Sequence, residues 1–171
     1  TFRKQWPGAP LTPDELVVWI RELPGTDERD EVLGSLRELT ISHQFPDAFF
    51  ASYTLMQWEE IRDLDPALIS VGSHGMNHRA LPGLAAEELQ SEVEDSARVI
   101  EQNLDRPCRF FCYPMGRWDD GSKHAVVQRY DAAVITAKGL VRPGDDAHKL
   151  TRIGTSSSCA RFAWKMWRPT S

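Results

Sequence analysis

Two histidines, His74 and His78, stand four positions apart, just after a glycine that closes the apolar run Ala67-Leu68-Ile69-Ser70-Val71-Gly72. Neutral imidazole is a common ligand for zinc and related divalent ions. Rings four residues apart converge on one ion if the backbone between them turns helically. That spacing alone is a weak signal, and its placement strengthens it. A strand over 67–71 would deliver both rings to its carboxyl end, the edge where α/β folds bind ligands and metals. A second segment of the right kind follows at Phe111-Cys112-Tyr113-Pro114-Met115-Gly116. A strand ending in proline and glycine presents backbone N–H groups at the same edge, and such groups can stabilise an oxyanion. A catalytic zinc ordinarily has three protein ligands and a water, so a carboxylate is the expected third ligand.

The elements that must position these residues follow from pattern. Thr12, Pro13 and Glu15 start a helix over 12–23, with Leu16, Val17, Ile20 and Leu23 as its stripe and Pro24-Gly25 as its stop. A charged helix is expected over 28–39, with Gly34 inside it, and residues 40–53 read as irregular. Thr54 caps a further helix whose apolar face is Leu55, Trp58, Ile61 and Leu64. The strand at 67–71 and the histidine loop come next. The longest helix covers about 85–104, with Leu89, Val93, Ala97, Ile100 and Leu104 on one face. Strands are expected at 109–113, 132–136 and 149–153, with a helix over 121–130. From residue 54 on, helix and strand alternate, which implies parallel βα units.

Composition bounds the rest. The chain has 171 residues, 41% hydrophobic and 26% charged, with net charge −5. It is long enough for a real core. No basic block points to nucleic acid. No apolar run reaches the roughly 18 residues a membrane span needs. The six tryptophans are read chiefly as core, although aromatic rings also line sugar clefts. Cys108, Cys112 and Cys159 leave one unpaired in any disulfide scheme and are read as reduced, core or near-core thiols. That suits a reducing compartment; cytoplasm and cell envelope both stay open, as does a targeting segment upstream of Thr1. Oligomeric state is not legible.

Taken together, these motifs resemble the NodB-type polysaccharide deacetylases, from about Thr54 to Ile153. The resemblance runs through Gly72-Ser73-His74 to His78, Leu81, the Glu88–Glu101 helix and the Phe-x-Tyr-Pro-x-Gly turn. It continues through Tyr130-Asp131-Ala132-Ala133-Val134 and Leu150-Thr151-Arg152-Ile153. It implies an α/β fold, a distorted (β/α) barrel incomplete at its N-terminus. By it, residues 1–53 are a helical insertion or lobe, 54–155 the deacetylase-like core, and 156–171 a peripheral tail. It implies metal-dependent hydrolysis of N-acetyl groups on an amino-sugar polysaccharide or oligosaccharide. His74 and His78 become ligands of a divalent metal, zinc before others. The Met115 N–H helps hold the oxyanion, Tyr113 joins it among the catalytic residues, and Tyr113, Pro114 and Gly116 bind substrate, the first two shaping the acetyl pocket.

The departures matter equally. The family's first motif, a Thr-Phe-Asp-Asp-Gly segment with the general base and the third metal ligand, is not matched by Thr1-Phe2-Arg3-Lys4. The sole Asp-Asp-Gly, Asp119-Asp120-Gly121, reads as a helix start. Cys112 stands where many members carry an arginine paired with the base, and Arg152 is the candidate to act in its place. The late leucine-histidine motif is missing, with His148 a differently placed candidate; His43 and His124 fit no motif and read as surface residues. Either the first motif lies upstream of Thr1, or the protein is a non-catalytic carbohydrate-binding or scaffold member. A third reading is another metal hydrolase using Asp119 or Asp120.

Overall fold

The computed structural model describes residues 2–10, 12–23, 26–40, 55–155 and 157–167. Two compact units divide the chain, Thr1–Leu55 and Met56–Ser171. The first holds helices α1 (Phe2–Gln5), α2 (Pro13–Glu22) and α3 (Thr26–Thr40). Thr12 caps α2, its hydroxyl accepting the Glu15 N–H at 3.3 Å. Val32 of α3 is buried, and Trp6 meets Trp19 edge-on at 6.4 Å. The two helices expected here form, each within two residues of its predicted bounds. His43 and the cap at Thr54 lie outside the described residues.

The second unit opens with α4 (Trp58–Arg62), shorter than the helix expected from Thr54. The strand expected over 67–71 does not form. Asp65 accepts the N–H groups of Leu68 and Ile69 on its carbonyl, at 3.0 and 2.9 Å, and that of Ala67 on its carboxylate at 2.9 Å. This Asx turn winds the apolar run into a bend, and Leu68 is left 82% exposed. Pairing begins only at Ser73, in a single parallel bridge to Phe111. Gly72 makes the approach possible, since a Cβ there would stand 2.8 Å from the Phe110 carbonyl oxygen.

The long helix forms as α5 (Ala86–Gln90), a π-helical turn (Ser91–Asp95) and α6 (Ser96–Leu104), ending at Asp105 in the left-handed region. Three parallel strands follow, β1 (Phe110–Cys112), β2 (Ala132–Lys138) and β3 (Leu150–Arg152), in that spatial order. Ser73 adds to the outer edge of β1. Helix α7 (Asp120–Arg129) connects β1 to β2. The core is Leu81, Val93, Ala97, Cys108, Phe111, Tyr113, Val126, Tyr130 and Ala133. The parallel α/β architecture is as expected, with a sheet of three strands and one bridge among the described residues.

One element was not expected, and one expectation needs correction. The tail carries a helix, α8 (Cys159–Trp167), which Ser158 starts by taking the Arg161 N–H on its hydroxyl at 3.4 Å. Cys159 on that helix is exposed rather than near the core; Cys108 is buried and Cys112 half-buried. Among the described residues no helix is long and apolar enough to cross a membrane.

Candidate functional site

Parallel strands place all their carboxyl ends at one edge, and there the predicted residues gather. His74 follows the Ser73 bridge, the Tyr113–Gly116 turn follows β1, and Arg152 closes β3.

His74 is exposed and His78 half-buried. Their rings meet edge-on, 4.8 Å between centroids at 79°. His74 Nδ1 lies 2.6 Å from the carbonyl oxygen of Cys112. A carbonyl only accepts, so Nδ1 carries the hydrogen, and in the neutral ring Nε2 is the nitrogen with the lone pair. This is the outer-shell arrangement that orients a ligating imidazole.

The turn after β1 is a single 3-10 turn, Pro114–Gly116. Met115 and Gly116 both adopt the left-handed region, at φ 55° and 68°. Gly116 has no room for a side chain: a Cβ would stand 2.7 Å from the Thr136 amide nitrogen on β2. The Gly116 and Arg117 N–H groups donate to the carbonyls of Tyr113 and Pro114, at 2.8 and 3.2 Å. Pro114 has no N–H, so these bonds leave over the N–H of Met115. Tyr113 and Pro114 are buried. The Tyr113 ring stands edge-on to Phe111 at 5.4 Å, and its hydroxyl has no hydrogen-bond partner. Burial and the negative charge of Asp146 push that hydroxyl's pKa up to about 12. What this turn presents at the edge is therefore backbone rather than a phenol.

Arg152 reaches across β2. Its Nε donates to the Ile135 carbonyl at 2.9 Å, and Nη1 lies 3.6 Å from the Cys112 sulfur. A guanidinium thus stands beside the residue where the resemblance expects an arginine. His148 is engaged elsewhere, its Nε2 donating to the Tyr130 carbonyl at 2.8 Å, and His124 is exposed. Asp119 serves α7 as expected of a helix start. It accepts the Ser122 hydroxyl and N–H at 2.6 and 2.8 Å, bonds that hold its carboxyl below the usual range.

Sequence reasoning missed Glu92. It is 1% exposed and accepts the N–H groups of Met76 and Asn77, both inside the histidine loop. A glutamate flanking the apolar stripe of the long helix was the available signal.

The family model described as polysaccharide deacetylase matches residues 28–133. The chain belongs to the polysaccharide deacetylase family. Among relatives of this family, YxkH of Bacillus subtilis (strain 168), assigned to the polysaccharide deacetylases by its name, is 27% identical over 107 residues, 62% of this chain and 38% of YxkH. A polysaccharide deacetylase of Bacillus cereus, BC0361, superposes with a TM-score of 0.58 at 23% identity, covering 65% of this chain and 36% of the other. The Streptococcus pyogenes deacetylase PplD, solved in complex with acetate, gives 0.55 at 21%, covering 61% of this chain and 46% of PplD. At these identities the structural likeness speaks for the fold alone. The chain spans less than half the length of each of these relatives.

Does the donor set suit the divalent cation that the resemblance implies? The Nδ1–H form of His74 suits a ligand of such an ion through its other nitrogen, and the His78 ring stands alongside at 4.8 Å. Among the described residues no group of three or more histidine, cysteine, aspartate or glutamate side chains could hold one.

Proposed function

We propose that this chain carries part of a metal-dependent site that hydrolyses N-acetyl groups on an amino-sugar polysaccharide. Its parallel sheet would be a portion of a distorted (β/α) barrel. His74 and His78 would hold a divalent cation, zinc before others, as two of its ligands. When bound, such an ion polarises an acetyl carbonyl and an attacking water.

The chain's own residues have separate tasks in this reading. The Cys112 carbonyl keeps His74 in the tautomer that can ligate. The Met115 N–H, left over within its turn, donates to the oxygen that gains negative charge as water adds to the acetamide carbon. Tyr113 and Pro114 brace that turn from inside, and Gly116 lets it lie against β2. Arg152 supplies positive charge at the same edge. The observation that carries the reading is the hydrogen bond from His74 Nδ1 to the Cys112 carbonyl, with the His78 ring 4.8 Å away.

The test is zinc titration of the 171-residue chain, followed by acetate release from an acetylated chito-oligosaccharide. Zinc binding should be lost in both His74→Ala and His78→Ala. Acetate release should be slow or absent, because residues 1–171 hold no Asp-Asp-Gly at the end of an early strand. Zinc binding indifferent to both substitutions would overturn the metal assignment. Turnover at ordinary enzyme rates would overturn the need for those carboxylates.

A further inference from the structure

The histidine loop closes on a buried carboxylate. Glu92 lies in the π-helical turn Ser91–Asp95. There the Ser96 N–H reaches back five residues to the Ser91 carbonyl. One residue more than an α-helical turn is thereby accommodated. Consecutive residues Glu92 and Val93 both turn inward, each 1% exposed. The Ser96 hydroxyl takes up the Glu92 carbonyl at 2.7 Å and also meets the Ser73 hydroxyl at 2.7 Å, which pins the start of the loop.

The Glu92 carboxylate then sits under the loop. Oε2 accepts the Met76 N–H at 3.0 Å, and Oε1 accepts the Asn77 N–H at 3.0 Å. Two successive amides aimed at one anion form the kind of concavity that binds phosphates elsewhere, and here the anion belongs to the chain itself. Gly75, at φ 83°, permits this, since a Cβ there would stand 2.5 Å from Oε2. On the far side, His78 is held in the left-handed region at φ 55°. A non-glycine residue stays there only when its surroundings over-determine it. The bonded amides lie between the two histidines and fix the path from one to the other.

We infer that Glu92 is the positioning residue of the histidine pair, acting through the Met76 and Asn77 amides to hold the His78 ring against that of His74. The inference deepens the metal-binding reading above and rests on it for its consequence, a tighter metal site.

Two readouts separate the two ideas. In the metal-free 171-residue chain, the wild type should show nuclear Overhauser contact between the His74 and His78 rings. Glu92→Gln and Gly75→Ala should lose it while keeping the far-ultraviolet dichroism of the wild type. In a cobalt(II) titration, Glu92→Gln should bind at least ~10-fold more weakly, the scale on which outer-shell partners act, with an altered visible band. A ring contact that persists in Glu92→Gln, or an unchanged cobalt affinity, overturns the inference. If Glu92→Gln fails to fold, Gly75→Ala decides, because it crowds the carboxylate without removing it, and a ring contact that survives there overturns the inference. A wild type that binds no cobalt overturns the metal reading, while the ring contact still decides the role of Glu92.

Discussion

Individual atoms at this edge have little freedom in what they can do. The Cys112 carbonyl dictates which nitrogen of His74 is available, and Ser122 dictates what Asp119 does. Asp119 also accepts the Gly83 N–H at 3.2 Å, so its carboxylate is engaged at a helix cap. Asp119→Ala should therefore destabilise the fold by about 1 kcal/mol, a typical loss for a cap, and leave zinc affinity unchanged. Urea unfolding and zinc titration of that variant check both halves; a loss of zinc binding would favour the hydrolase reading based on Asp119 or Asp120. The histidine pair, the turn and the cap were singled out from residue type, spacing and their placement along the chain. Glu92 was not, because pattern reading counts apolar residues along a stripe, and a flanking glutamate looks solvated until its loop partners are known.

Among the elements, Arg129 ties α7 to α6 and its π-helical turn. It pairs with Glu101 at 2.7 Å and Glu94 at 3.2 Å, while Glu101 also takes the Cys108 N–H at 2.9 Å just before β1. The Arg129 hydrogen bond holds the Glu101 carboxyl below its ordinary value. A carboxyl lowered in the folded state adds stability above its unfolded pKa, about 4.3, and loses it as pH falls through the folded one. The urea midpoint should accordingly drop between pH 6 and pH 3, and less steeply in Glu101→Gln. Helix spacing was easy to read, and Ala86–Leu104 falls within a residue of expectation. The π turn inside it was hidden, since the extra residue it takes in shows in the sequence only as Glu92 beside the apolar Val93. The run 67–71 misled because apolar content alone cannot distinguish a strand from a bend that Asp65 winds.

For the molecule as a whole, the fold class followed from the alternation after residue 54, and the family from several motifs in one order. The helix of the tail was overlooked although Ser158 precedes nine residues in which Cys159, Ala163 and Met166 recur at helical spacing. The three thiols now give a graded report on folding. Cys159 is exposed, Cys112 half-buried, and Cys108 buried with its pKa raised by that burial. Under native conditions a chromogenic disulfide should modify Cys159 at once, Cys112 slowly, and Cys108 only as fast as the second unit opens. Equal rates at all three would contradict the burial order.

The sealed phenol of Tyr113 has an engineering corollary. A buried oxygen with no protein partner costs on the order of 1–3 kcal/mol for such a group. Tyr113→Phe deletes only that oxygen and leaves the ring against Phe111. The variant should melt at a higher temperature than its parent, making it a ready background in which to carry the more disruptive substitutions.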